Sequence, residues 1–201
     1  TVLLKPNMGY PEQPGMPAWT CMTDVVVLTA LTELCLEAGA SRVITGDGCA
    51  HAIKASYMFQ NSGIQEAVEK AGGEISCFDE EPFVTREVPG GILLKKQAIP
   101  KIVLDADVFI NVPKMKTTQV GSWTLGFKNL FGLIPNEERH PWHRIPELYF
   151  LLVDLYKLVR PALTVMDGFV IQEGGGPRWG NPVDLGVVVM GGHSGPLPHG
   201  R

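Results

Sequence analysis

The chain has 201 residues, 45% of them hydrophobic and 19% charged, a composition that builds a globular domain and excludes wholesale disorder. Lys and Arg number 17 against 21 Asp and Glu, a formal net charge of -4, which excludes a broad basic surface for nucleic acid. No apolar run reaches the roughly 18 residues of a membrane span, and the longest candidate, Phe150 to Val159, is broken by Asp154 and Lys157.

In chain order, Val2 to Leu4 reads as a short strand ending in Lys5-Pro6-Asn7. A loop rich in Pro and Gly runs from Met8 to Thr20. Thr23-Asp24 then opens a helix with Val26, Leu28, Leu31, Leu34, Cys35 and Ala38 on or near one face, and Gly39 closes it where glycine is favoured. Arg42 to Thr45 is the second strand, followed by Gly46-Asp47-Gly48. A short helix, Ser62 to Ala71, is expected to be capped by Ser62 and stopped by Gly72-Gly73. Glu74 to Phe78 is the third strand.

Residues 79 to 100 carry the turn signal Glu87-Val-Pro-Gly-Gly91 between short extended runs, which predicts a β-hairpin excursion. Lys101 to Leu104 continues into Asp105-Ala106-Asp107. Val108 to Val112 is a buried strand ending at Pro113-Lys-Met-Lys-Thr117, a segment open to either a strand-like or a loop reading. Leu125 to Phe131 is helical, and Ile145 to Val159 is an amphipathic helix with Pro146 in its first turn. Leu163 to Met166 is a strand ending in Asp167-Gly168. Glu173-Gly-Gly-Gly-Pro177 is a Gly-rich loop before the last strand, Leu185 to Met190.

Strands alternating with helices predict one α/β domain over residues 1 to 201, three-layered, with a mostly parallel central sheet and the hairpin as an excursion. Because the chain opens inside a strand-like run, it is expected to be a fragment of a longer protein. Lys5-Pro-Asn7, Gly46-Asp-Gly48, the Pro113 to Thr117 segment and Asp167-Gly168 each follow an apolar strand directly. In an open parallel sheet, ligands bind beyond the carboxyl ends of the strands, so four polar motifs are expected to converge on one crevice.

Lys5, Lys114, Lys116 and Lys128 are the candidate anion-binding cations, and strand periodicity aims Lys114 and Lys116 the same way. Asn7 and Asn129, beside turns, are further candidates, as are the backbone amides of Gly174 and Gly175. Asn111 is expected to stabilise its own loop. Asp47, His143 and Asp167 are the acid/base candidates. A metal-dependent site built on His143 with Asp47 or Asp167 is an alternative; His140 and His143 together are poorly spaced for a metal because Pro141 intervenes. His51 is expected at the same edge, and His193 and His199 in solvent. Trp19, Trp123, Trp142 and Trp179 fall in predicted loops, where they would cap the pocket or pack under it.

Cys21, Cys35, Cys49 and Cys77 contain no CxxC pair, so no metal site is expected from them alone. Scattered thiols predict a reducing compartment, with a cytoplasmic address favoured. No Gly-rich nucleotide fingerprint, P-loop or nucleophile elbow occurs.

Taken together, Lys5-Pro-Asn7, Gly46-Asp-Gly48, Phe109-Ile-Asn-Val-Pro-Lys-Met-Lys-Thr117, Thr124-Leu-Gly-Phe-Lys-Asn-Leu-Phe-Gly132, Asp167-Gly168 and Glu173-Gly-Gly-Gly-Pro177 resemble the domain of unknown function 362 family over essentially the whole chain. The resemblance implies an α/β domain, often joined to a ferredoxin-like iron–sulfur module elsewhere, and no settled reaction. Where that family usually has Thr-His after Lys-x-Lys, this chain has Thr117-Thr118. After Met190 it lacks the expected Asp-Pro segment and helix. A remoter analogy of fold links it to the N-terminal half of nickel-dependent lactate racemases.

Two functions are therefore expected. The first is an enzyme domain that binds a small anionic substrate or cofactor at the carboxyl edge of its sheet, with redox chemistry and an iron–sulfur partner module implied by the resemblance. Any cluster would sit on another module or chain. The alternative is a non-catalytic domain that docks an electron-transfer or accessory protein.

Overall fold

A computed structural model describes residues 1–10, 18–50, 53–119, 122–143, 145–177 and 179–192. His51, His193 and His199 lie outside the described residues. The central sheet has eight strands: β1 (Val2–Lys5), β2 (Val43–Asp47), β3 (Glu74–Cys77), β6 (Val108–Asn111), β7 (Lys114–Thr118), β8 (Ser122–Thr124), β9 (Leu163–Gly175) and β10 (Trp179–Gly192). Their order is β3-β2-β1-β6-β9-β7-β8, with β10 paired to β9. All pairings from β3 across to β9, and that of β7 with β9, are parallel; β8 and β10 pair antiparallel. The expected hairpin excursion is present as a separate antiparallel pair, β4 (Phe83–Glu87) and β5 (Lys96–Pro100).

Side-chain alternation along β1 divides the core between two faces. Leu3 points into a cluster with Ile44, Phe109 and the helix α7 (Leu148–Val159), through Leu151, Leu155 and Leu158. Val2 and Leu4 point the other way, toward the helices α1 (Val25–Glu37), α2 (Ala55–Asn61) and α3 (Ile64–Lys70), meeting Leu28, Phe59 and Val68. A sheet covered on both faces needs continuous apolar strands, and β1 and β2 are buried at every position. Short α-helices follow at α4 (Lys101–Asp105), α5 (Gly126–Asn129) and α6 (Asn136–Trp142), with 3₁₀ turns at Ala18–Thr20, Phe78–Glu80 and Leu130–Leu133.

Several local expectations change. The buried stripe of α1 runs through Val27, Leu28 and Thr32; Val26 and Leu34 are exposed, because the helix is apolar almost all round and its sequence does not mark one face. Asp24 caps α1 by accepting from the Val26 N–H at 2.9 Å. The cap of α3 is Gly63, in the left-handed region at φ 76°, one residue past Ser62, and α2 precedes it where the sequence pattern showed no helix. The Lys114 to Thr117 segment is a strand, because β9 offers it an open parallel edge. Glu173 to Gly175 belong to β9, paired against Trp179 to Asn181, and only the tight turn that follows is loop. The four tryptophans sit in or beside regular elements: Trp19 in a short 3₁₀ turn, Trp123 in β8, Trp142 in α6 and Trp179 in β10. Among the described residues, no helix is long and apolar enough to cross a membrane.

Candidate functional site

A cavity of about 630 Å³ opens beyond the carboxyl ends of β1 and β2, walled by the residues that follow them and by β7, α5 and α6. Lys5, Asn7, Asp47, Lys116, Lys128, Asn129, His143 and Gly175 all line it. Trp179 stands at its wall while remaining exposed. Lys114, Asp167 and Gly174 are not among its lining residues. Lys114 Nζ pairs with Asp167 Oδ2 at 2.8 Å, both side chains buried, and the same oxygen accepts from the Asp24 N–H at 2.7 Å. Asp167 therefore anchors the start of α1 to the sheet. Strand alternation does bury both Lys114 and Lys116, but β9 bulges between their partners, Asp167 and Gln172, and the two ammonium groups go to different environments.

The lysines that reach the cavity are held in unlike ways. Lys5 Nζ lies 2.6 Å from Asp47 Oδ1 and donates to the Pro6 carbonyl at 3.0 Å. Asp47 also accepts from the backbone N–H groups of Met8 at 3.0 Å and Gly48 at 2.8 Å. Burial pushes Asp47 up and Lys5 down from their ordinary values, while their mutual attraction opposes both shifts. Gly132 packs over this pair: a Cβ there would stand 2.6 Å from Asp47 Oδ1, so the position has no room for a side chain. Arg139 closes the wall behind, paired with Asp79 at 2.9 Å and donating to the carbonyls of Cys49, Gly132 and Ile134.

Lys116 Nζ donates to Asn7 Oδ1 at 2.7 Å and to the Cys21 carbonyl at 2.5 Å. Lys128 Nζ lies 3.2 Å from His143 Nε2 and 4.3 Å from the centroid of the Phe131 ring. Among the described residues neither lysine forms an ion pair. Burial brings both down to about 8, and the charge of Lys116 adds to the effect on Lys128. His143 is pushed down to about 4, by burial first and then by the charge of Lys128, so its imidazole is neutral at pH 7 and accepts from Lys128.

A chain of amides supports Lys116 from behind. Because the ammonium is donor only, Asn7 must present its oxygen, and its Nδ2 then donates to Asn129 Oδ1 at 3.0 Å. Asn129 Nδ2 donates to Asn111 Oδ1 at 2.8 Å and to the Lys5 carbonyl at 3.2 Å. Asn111 Nδ2 ends the chain on the Gly126 carbonyl at 2.9 Å. Asn111 thus belongs to the support of the site, a role its place at a strand end did not reveal. Arg139 was missed for a similar reason: in sequence it is one charge in a polar run.

Among the described residues, no group of three or more His, Cys, Asp and Glu side chains is placed to hold a metal ion. Cys21, Cys35, Cys49 and Cys77 are free thiols, Cys21 and Cys49 buried. Burial pushes Cys49 up to about 12, so it is not a thiolate near neutrality.

The chain belongs to the domain of unknown function 362 (DUF362) family, whose model matches residues 2–194. It is 32% identical over 197 residues to the thylakoid-associated protein sll1697 of Synechocystis sp., a match covering 94% of this chain and 57% of that protein. It thus spans little more than half the length of that relative. The lactate racemase apoprotein of Thermoanaerobacterium thermosaccharolyticum has a similar fold, with a TM-score of 0.59 at 13% identity, over 95% of this chain and 45% of that one. The α/β architecture with its mostly parallel sheet is therefore a known one.

Proposed function

We propose that this domain is part of an enzyme and binds a small anionic substrate or cofactor in the cavity at the carboxyl ends of β1 and β2. One observation carries the reading: Lys116 and Lys128 line a single cavity with neutral partners only, whereas Lys5, Lys114 and Arg139 are each matched by a carboxylate. Two cations without countercharge in a partly desolvated space attract an anion far more strongly than solvated lysines do. A phosphate or carboxylate placed between them satisfies their remaining donors.

In this reading the candidates divide. Lys116 and Lys128 hold the anion, and the backbone at Gly175 borders it. His143, neutral at pH 7 and facing the cavity, accepts from Lys128 and holds that ammonium in place. Lys5, Asn7, Asp47 and Asn129 form the floor and keep the cations aimed, while Lys114 and Asp167 hold the sheet to α1.

Calorimetric titration with inorganic phosphate and with pyruvate tests the reading. At least one is expected to bind, more weakly as salt rises, and the Lys116→Met/Lys128→Met double variant should lose tenfold or more, roughly the worth of one charge-assisted contact. Absence of binding by the parent protein, or equal binding by the double variant, would overturn it.

A docking role is the second reading, favoured by β10, where Leu185, Val187, Val188, Val189 and Met190 are all exposed on a strand at the sheet's edge. A ferredoxin-like or accessory protein that binds there would be displaced by Val188→Lys, a change that leaves the cavity untouched.

A further inference from the structure

We propose that Lys116 forms an imine with its ligand, which makes the ligand class a small carbonyl compound bearing an anionic group, with 2-oxo acids as the simplest members. The proposal rests on the cavity being an anion site and adds the ligand's second functional group.

The argument starts from the valences of one nitrogen. A neutral lysine amine has two N–H bonds and one lone pair. Around Lys116 the protein supplies two acceptors, Asn7 Oδ1 at 2.7 Å and the Cys21 carbonyl at 2.5 Å. Both are uncharged, and both can be satisfied by the amine as well as by the ammonium. With two N–H bonds engaged, the remaining tetrahedral position holds the lone pair, and Lys116 lines the cavity. Among the described residues Lys116 Nζ has no third hydrogen-bond partner.

The contrast with its neighbours is what singles Lys116 out. Lys5 and Lys114 are each within ion-pair distance of a buried carboxylate, at 2.6 and 2.8 Å, which keeps a proton on the nitrogen. Lys128 titrates at about 8 as well, but its nitrogen is engaged with His143 Nε2 at 3.2 Å and lies 4.3 Å from the centroid of the Phe131 ring, so geometry rather than titration separates it from Lys116. Lys116 makes no ion pair among the described residues, and burial, opposed by Cys21 and Asp47 and helped by the charges of Lys114 and Lys5, brings it to about 8. On the order of a tenth of it is then neutral at pH 7, the condition for a nucleophilic lysine. The amide chain from Gly126 through Asn111, Asn129 and Asn7 fixes the acceptor that orients it. Lys128, charged and in the same cavity, is placed to hold the carboxylate of a 2-oxo acid.

The step balances without a further reagent. The Lys116 lone pair attacks the carbonyl carbon, a C–N bond forms and the carbonyl π pair moves to oxygen. The nitrogen passes a proton to that oxygen, through solvent in the cavity, and the carbinolamine expels one water as the C=N bond forms. Nothing is oxidised or reduced.

The test traps the imine in the folded protein. Pyruvate and sodium cyanoborohydride are added, hydride goes to the imine carbon, and the modified lysines are identified by peptide mass spectrometry. The expected result is an adduct at Lys116 in excess, by roughly tenfold or more, over the exposed Lys54, Lys70, Lys95 and Lys96. Lys116→Arg, checked for folding by circular dichroism, should remove that adduct and leave the exposed sites as before. Lys128→Met should lower the yield from pyruvate about tenfold and leave that from acetaldehyde unchanged. Labelling spread evenly over the lysines would overturn the proposal, as would equal loss of both yields in Lys128→Met. Phosphate binding that needs Lys116 and Lys128, with no adduct at Lys116, would sink the imine and spare the anion site; no binding and no adduct would sink both.

Discussion

Lys5 Nζ and Asp47 Oδ1 lie 2.6 Å apart at the ends of adjacent parallel strands, buried together beneath the cavity. Asp47 also accepts the Met8 and Gly48 N–H groups, so one carboxylate fastens both of the chain segments that leave β1 and β2. Removing it strands an ammonium out of water. Asp47→Ala is expected to cost about 3–5 kcal/mol in urea unfolding, and Lys5→Met/Asp47→Leu to recover most of the loss, since an apolar pair of similar volume incurs no desolvation of charge. An unchanged midpoint for Asp47→Ala would show that the pair contributes little.

Anion affinity should depend on pH through Lys116 and Lys128. Both titrate at about 8, so both are charged well below that value and neutral well above it. Phosphate binding is expected to be strong at pH 7 and to fall as pH rises through about 8. The same shift acts on stability in the opposite direction. The unfolded chain binds more protons than the native one between about 8 and the ordinary lysine value, so stability rises with pH across that window. Calorimetry and urea melts at matched pH values check both signs; affinity that stays constant through this range would count against these cations as the site.

His143 should titrate far below an ordinary histidine. Burial and the charge of Lys128 hold it at about 4. Its unfolded counterpart takes up a proton from about 6.5 downward, so stability falls as pH drops from about 6.5 to 4. An NMR titration of the His143 ring should show a midpoint near 4 in the parent and a higher one in Lys128→Met. A parent midpoint close to 6.5 would contradict the buried contact with Lys128.

Asp154 ties the hairpin excursion to α7. Its carboxylate accepts from the N–H groups of Ile92 at 2.9 Å, Leu93 at 2.7 Å and Leu94 at 2.9 Å. Burial alone would raise its pKa; these bonds and Lys157 outweigh burial and hold it below the usual carboxylate value. Its contribution is present above the unfolded value and lost as pH falls through the folded one. Asp154→Ala leaves three N–H groups without their acceptor, and hydrogen exchange at Ile92 to Leu94 should quicken tenfold or more, about 1–3 kcal/mol of local protection. Unaltered exchange there would place the hairpin's anchor elsewhere.

Much of the fold was legible before the coordinates. The apolar strands, the hairpin and the helix α7 announce themselves through burial on both faces of a sheet, through turn residues and through helical period, which are local properties, although α7 starts at Leu148, so Pro146 precedes it and is not in its first turn. The placement of polar motifs after strands pointed to the edge where the cavity opens, because a parallel sheet gathers those ends together, although Lys114 and Asp167 do not line it. The strand at Lys114 to Thr118 was only half legible: its two lysines share one face if it is extended, but that it is extended depends on the edge β9 presents to it. α2 was hidden by its brevity and by the Gly63 that follows it.

The sequence by itself determined the class of fold, the family, and the set of lysines, asparagines and aspartates at the strand ends. It could not say which of them meet. Lys114 and Lys116 are two residues apart and chemically alike, yet one is matched by Asp167 and the other faces the cavity with two neutral acceptors. Only the tertiary structure decided that, because charge pairing is settled by distances across strands that are remote in the chain. The bulge in β9, together with loops that come from far-separated segments, brings Asp167 to one lysine and Asn7 to the other. The difference between a lysine paired with a buried carboxylate and one that lines the cavity rests on those long-range contacts.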